Sequence, residues 1–331
     1  MSLAAATRWP AVLALVFNAF AWGVSWWPFR HFEQLGLHPL WLTALIYALV
    51  VLAVLAVRPG ALIELLRTPA LWLLVLAAGT TNASFNWAVT LGDVVRVVLL
   101  FYLMPLWAVL LARPLLGERL GWRAGLRVAL ALAGALIVLW PAAEPAAAAL
   151  AGAGTAMTAG AASAHAAAPT TTTTSTTTTA AWAVTSPLGL ADVLALIGGF
   201  SFALNNVMLR REARRSESAR ALAMFAGGAI VSAGLALLLG AAGGVPNLPP
   251  PQAAWLWGVL ALAVWFLLGN LALQYGAARL PAHTTAVVMI TEVLFASATA
   301  IAWGAGTLGL QAAAGGTLIV AAAVLAAWQS D

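Results

Sequence analysis

The chain has 331 residues, of which 63% are hydrophobic and only 8% charged, against about 25% charge in a soluble domain. A water-facing fold cannot absorb that much apolar surface, whereas lipid can. Cys is absent, which excludes disulfides, thiol catalysis and Cys-ligated metals, and the net charge of +5 resides in Arg-bearing loops without the aromatic-basic surface that nucleic acid needs.

Apolar stretches near the ~20 residues that cross a bilayer recur throughout. In chain order they predict spans over 9–28, 40–57, 70–90, 94–113, 122–140, 188–209, 219–241, 253–274, 282–303 and 312–328. The first has the outline of a secretory signal: Arg8, an apolar run, then Ala19-Phe20-Ala21. It reads as a retained span because it has a counterpart in the second half. Residues 145–168 are mostly Ala, Gly, Thr and Ser with His165, too weakly apolar to count as an eleventh span. They belong to a low-complexity Ala/Thr-rich linker, 141–187, in which Thr170–Thr179 is broken only by Ser175. It divides the chain into residues 1–140 and 188–331.

Arg placement predicts orientation. With the N-terminus inside, Arg8, Arg58, Arg67, Arg113, Arg119, Arg123, Arg127, Arg210, Arg211, Arg214, Arg215, Arg220 and Arg279 fall on the cytoplasmic side. Only Arg30 and Arg96 fall outside. The expectation is a multi-pass protein of a bacterial inner membrane, both termini cytoplasmic and the linker external.

The halves repeat. Trp87–Pro105 aligns with Tyr275–Val293 at a constant offset of 188, which also pairs Asn82 with Asn270 and Asn86 with Gln274. Trp22-Gly23 matches Phe202-Ala203, and Phe29-Arg30 matches Leu209-Arg210. Five spans per half is an odd number, so the copies must lie in opposite senses, an arrangement that lets two halves rock about a midplane site. The predicted fold class is an all-α membrane protein with ten transmembrane helices in two inverted five-helix repeats.

The run Pro105-Leu106-Trp107-Ala108-Val109-Leu110-Leu111-Ala112, followed by Leu115-Leu116-Gly117-Glu118-Arg119-Leu120, resembles the EamA-type branch of the drug/metabolite transporter superfamily. So do Ala21-Trp22-Gly23 and Gly134 in the fifth span. The resemblance implies helices 5 and 10 at the periphery, the others around a central cavity, and export of amino acids and related metabolites, some aromatic. The second half departs from the family pattern. Glu292-Val293 stands where the family has Glu-Pro, and no acid follows Gly304-Ala305-Gly306.

Polar residues inside spans carry the functional argument. Asn18, Trp22, Ser25 and Trp26 share one face of helix 1 at helical spacing, and Phe202, Asn205 and Asn206 the matching face of helix 6. Helix 3 offers Asn82 and Asn86, helix 8 Asn270 and Gln274. Amides give donors and acceptors without fixed charge, and aromatic faces suit rings or cations. The set fits a small zwitterionic or aromatic solute; the plainer reading is interhelical hydrogen bonding, about 0.6 kcal/mol each. Glu292, eleven residues into helix 9, is either a proton carrier or a partner for a substrate ammonium, or else a structural acid. Arg96 pairs with Asp93 one turn before it, or meets a substrate carboxylate. Gly125, Ala129 and Ala133 recur every four residues on helix 5, a close-packing pattern that leaves a homodimer open. No phosphate-cradling loop is present. No metal-spaced His-Glu cluster lies within the spans, and His31, His38 and His165 fall in predicted loops. No cofactor is implied. The leading function is a secondary exporter of small metabolites working by alternating access, driven by protons or by the solute gradient. An intramembrane enzyme and a non-transporting sensor or scaffold are the rivals.

Overall fold

The computed structural model describes residues 3–116, 122–139, 188–277, 279 and 288–328. Contacts divide the chain into Met1–Val138 with Leu190–Asp331, and Leu139–Gly189. The first of these units is described below; almost all of the second, including His165 and the Thr run, lies outside the described residues. So do Gly117–Leu120 of the motif above.

Every described element is helical. Helix α1 spans Leu3–Gly23 and α2 Trp26–Gln34. Between them Ser25 Oγ donates back to the Trp22 carbonyl at 2.7 Å, a local bond that bends helices. His31, expected in a loop, lies on α2 and stacks on Trp27 at 5.6 Å. Helix α3, Pro39–Val57, opens on a proline at its first position, where a missing N–H costs nothing, and His38 accepts from Leu40 N as its N-cap. Burial in that turn pushes the His38 imidazole down to about 4, so it caps as a neutral acceptor.

Helix α4, Gly60–Arg67, was not expected from the sequence. It is too short to span and buries Ala61 and Leu65 on one side only. It meets α5, Pro69–Leu91, at a bend of 101°. The fourth predicted span is two helices, α6 (Val94–Phe101) and α7 (Met104–Leu116). Pro105 accounts for the break: a proline denies a hydrogen bond to the carbonyl four residues back, and Phe101 is where α6 ends. Helix α8 covers Trp122–Leu139, α9 Leu190–Arg211, α10 Glu217–Ala241, α11 Ala253–Ala277, α12 Thr291–Ala302 and α13 Leu310–Trp328. A turn at Ile290 precedes α12 and stands 188 residues after Tyr102, the turn between α6 and α7.

Five helices are long and apolar enough to cross a membrane, or up to six with the bent α4–α5 pair counted as one span. Shorter apolar helices run over Val94–Ala108, Ala129–Val138, Thr291–Ala302 and Leu310–Ala322.

The packing couples the two halves. Helix α1 lies on α11 and α12, while α9 lies on α5, α6 and α7. Helix α11 packs on α3, and α10 on both α3 and α5; α6 meets α12. Exchanging the halves maps α1 on α11 and α12 onto α9 on α5 and α7, α11 on α3 onto α5 on α10, and α10 on α3 onto itself. Two crossings depend on glycine. A Cβ on Gly227 would run into the Val75 carbonyl, and one on Gly79 into the Gly227 carbonyl. Gly134 and Gly315 are reciprocal: a Cβ on either would sit 2.6 Å from the other's carbonyl oxygen. Close approach of this kind is how membrane helices gain packing without a hydrophobic driving force. The stripe Gly125, Ala129 and Ala133 is exposed, so the buried face of α8 is instead Ala131, Gly134, Ala135 and Val138.

Candidate functional site

The expected residues divide among three polar seams. The first joins α1 to the region of α12. Asn18 is fully buried and its Nδ2 donates to Met289 Sδ at 3.3 Å, but its Oδ1 has no partner. Trp26 Nε1 donates to Thr299 Oγ1 at 3.0 Å. Tyr102 O–H lies 3.0 Å from Glu292 Oε2 and 3.2 Å from the Met289 carbonyl, with Tyr102 only 2% exposed. Gly23 allows the approach of α1, since a Cβ there would be 2.9 Å from the Glu292 carbonyl.

The second seam is on α3, α5, α10 and α11. Tyr47 donates to Asn82 Oδ1 at 2.6 Å, and Asn82 Nδ2 returns to the Ala78 carbonyl at 2.8 Å. Tyr47 stacks on Phe225 and Phe266 with centroids at 5.8 and 6.4 Å, and Trp22 of α1 packs on Phe266 at 4.8 Å. Asn86 Nδ2 donates to Thr43 Oγ1 at 3.0 Å, leaving Oδ1 buried without a donor. On the α9 side, Phe202 packs on Phe101 at 5.5 Å and Asn205 is buried with Oδ1 unpartnered, whereas Asn206 is exposed. Asn270 is half-buried. The Gln274 side chain lies outside the described residues. Ser25 is spent on its own helix.

The third seam is ionic. Arg96 does not pair with the Asp93 carboxylate. Its guanidinium holds Asp192 through Nε at 2.7 Å and Nη2 at 3.1 Å, and its Nη1 donates to the Val138 carbonyl at 2.8 Å. Asp93 instead caps α6 by accepting from Arg96 N at 3.0 Å, and binds Thr307 N at 2.7 Å and Thr307 Oγ1 at 3.1 Å. Arg30 also serves a helix end, with Nε 2.7 Å from the Val89 carbonyl and Nη2 on that of Gly92. A cation there suits the negative end of α5.

Tyr47, Tyr102, Met289, Thr43 and Thr299 were not singled out from the sequence. Tyr102 could have been: it stands three residues before Pro105, where a helix must break. An open concavity of about 380 Å³, lined by Arg58, Pro59, Gly60, Glu64, Ser216 and Ser218, lies at loop level and includes none of the expected site residues. There Ser216 donates to Glu64 through N and Oγ at 3.1 and 2.6 Å, which holds the Glu64 carboxyl below the usual carboxylate range. Among the described residues no three His, Asp or Glu side chains gather as a metal site.

Apolar helices too many and too long for a soluble fold, with buried amides between them, define a multi-pass membrane protein. Residues 9–140 match the model of the EamA-like transporter family. No curated protein matches the chain. Among the solved structures that match, one protein crystal structure does so over 96% of this chain and 96% of its own, at 19% identity and a TM-score of 0.54, which is a likeness of fold.

Proposed function

We propose that the whole chain is a secondary transporter of small amphiphilic metabolites, such as amino acids, working as an exporter by alternating access. The observation that carries this is the pairing of helices. Among the described helices, the contacts of α1 with α11 and α12 match those of α9 with α5 and α7, α3 with α11 matches α10 with α5, and α3 with α10 is its own counterpart when the halves are exchanged. That is what two inverted five-helix repeats require, and it supplies two near-equivalent arrangements about one midplane. The five long spans, the bent α4–α5 pair and the four shorter apolar helices supply the ten segments of that reading. The EamA-like domain over 9–140 supports transport as the activity.

The amide seams supply the solute contacts. Asn18, Asn86 and Asn205 each keep a buried carbonyl oxygen without a donor. A buried polar group left unpaired costs about 1–3 kcal/mol, so it is a costly feature unless a ligand or water fills it. Trp22, Trp26, Ser25, Phe202, Asn82, Asn206, Asn270 and Gln274 complete the candidate lining, with Glu292 as the group that couples to a proton or to the solute's charge. Arg96 acts as an ion-pair anchor. Membrane lipid surrounds the fold, and the exposed Gly125, Ala129 and Ala133 face is where a second copy would pack.

Purified protein in proteoliposomes preloaded with an amino-acid mixture should release solutes faster than preloaded vesicles without protein. Absence of flux for every amino acid and amine tried would sink the reading. Orientation is tested on the same Cys-free background. A Cys at Thr174 should react with an impermeant reagent in intact cells, and one at the exposed Arg214 only after permeabilisation.

A further inference from the structure

The polar cluster around Glu292 exists at one of two related positions only. At the offset of 188, Glu292 corresponds to Met104, Ile290 to Tyr102 and Met289 to Phe101; at the first-span offset of 180, Gly198 corresponds to Asn18. The related contacts are both present. Asn18 Nδ2 meets Met289 Sδ at 3.3 Å, and a Cβ on Gly198 would meet the Phe101 ring at 3.3 Å. On the second side the Phe101 ring, 6% exposed, fills the seam with carbon. On the first side the seam holds polar groups, and they do not balance.

The acceptors are the Glu292 carboxylate, Asn18 Oδ1, the Met289 carbonyl and the Met289 thioether. The donors are the single Tyr102 hydrogen, shared between Glu292 Oε2 and the Met289 carbonyl, and the Asn18 amide, one of whose two hydrogens meets the Met289 sulfur. Asn18 Oδ1 receives nothing although the residue is fully buried. No cationic side chain faces Glu292 among the described residues. The cation on the facing α6, Arg96, is bonded to Asp192 and the Val138 carbonyl. The missing member is therefore a positive charge that brings several hydrogens. A proton on Glu292 would neutralise the acid and add only one donor. A primary ammonium carries the charge and three donors. Opposite Asn18, Gly269 leaves room for a methyl group, because a Cβ there would lie 3.6 Å from Asn18 Oδ1 and 3.5 Å from Ala21 Cβ.

We propose that Glu292, Asn18 and the Met289 carbonyl form a subsite for a protonated primary amine, the ammonium end of the transported solute. The role in transport rests on the transporter reading above; the binding chemistry does not. The test is ligand binding to the full-length purified protein, by calorimetry, with 2-phenylethylammonium chloride as the probe. Its neutral analogue 2-phenylethanol should bind at least tenfold more weakly. Glu292→Gln and Asn18→Leu should each weaken the amine at least tenfold and the alcohol far less, since it brings one donor and no charge. Gly269→Ala makes only ordinary contacts, so it should fold normally, and its methyl group should weaken the amine several-fold. Equal affinity for amine and alcohol in the unmodified protein overturns the subsite, and that comparison needs no variant. Sodium chloride titrated into a potassium phosphate background should not compete; displacement of the amine by sodium assigns the cluster to an alkali ion and overturns the amine assignment. Amine binding without flux of any solute would sink the transporter reading and leave the subsite standing. Flux of solutes without amine binding would do the reverse.

Discussion

Arg96 and Asp192 form a two-point ion pair, with guanidinium nitrogens 2.7 and 3.1 Å from the two carboxylate oxygens. It joins the start of α6 to the start of α9, and the third bond, to the Val138 carbonyl, adds the end of α8. Three helices are thus held at one end by one guanidinium, which suits Arg better than Lys because the fork is planar and rigid. Asp192 is the more buried partner, with 9% of its side chain exposed against 32% for Arg96. Asp192→Asn leaves Arg96 without its counter-charge and should cost about 1–3 kcal/mol, discounted from the buried-pair range for the exposure of Arg96. The double variant Arg96→Met/Asp192→Leu should recover most of that in thermal unfolding and retain solute exchange. Loss of exchange in a stable double variant would assign Arg96 to the solute instead.

The reciprocal contact of Gly134 and Gly315 makes a contrast within one helix. Gly134→Ala or Gly315→Ala places a methyl 2.6 Å from a backbone oxygen, which must push α8 and α13 apart and should cost about 1–3 kcal/mol. Gly125→Ala on the same helix meets nothing within 4 Å and should be neutral or gain up to about 1 kcal/mol from helix propensity. Equal melting temperatures for Gly134→Ala and Gly125→Ala would refute the crossing.

Much of the architecture was legible because spans announce themselves by length and hydropathy: α3, α5, α10 and α11 fall within a few residues of their predicted bounds. What escaped has physical causes. Helix α4 is one-sided and short, so an apolar-window reading passes over it. The break at Tyr102 was implied by Pro105, yet a span reads as continuous until the lost carbonyl partner is counted. The partner of Arg96 was invisible because Asp192 is 96 residues away, beyond the linker, and only the docking of α9 on α6 brings it near. Of the amides expected in the interior, Asn18, Asn86 and Asn205 are buried, Asn82 and Asn270 half-buried, and Asn206 exposed. Periodicity could not tell which would keep an unpaired oxygen and which, like Asn82, would be satisfied by a tyrosine across the seam.

That difference separates two neighbouring amides. Asn82→Leu strands the hydroxyl of Tyr47, a residue only 3% exposed, and should cost about 1–3 kcal/mol in stability. Asn86→Leu strands nothing, because Thr43 Oγ1 already donates to the Pro39 carbonyl at 2.8 Å. It should leave the amount of folded protein near normal and reduce solute exchange. If Asn86→Leu lowers the melting temperature as much as Asn82→Leu and leaves exchange per folded molecule unchanged, both amides are structural.

Helix α4 hangs on one hydrogen-bonded carboxylate. Ser216 donates to Glu64 through N and Oγ while its Oγ accepts from Ala219 N, so a single residue caps α10 and tethers α4. The two bonds favour the ionised acid and lower its pKa in the folded state. A depressed folded pKa contributes stability that is present above the unfolded value of about 4.3 and is lost as pH falls through the folded one. Residues 58–68 should therefore keep their hydrogen-exchange protection from pH 7 to about pH 5 and lose it below the carboxylate range, after correction for intrinsic rates. Glu64→Gln should show the weakened protection already at pH 7, and Ser216→Ala should do so while also fraying the first turn of α10. Protection that is the same in Glu64→Gln as in the unmodified protein would mean that Ala61 and Leu65 packing alone docks α4, and that the carboxylate is incidental.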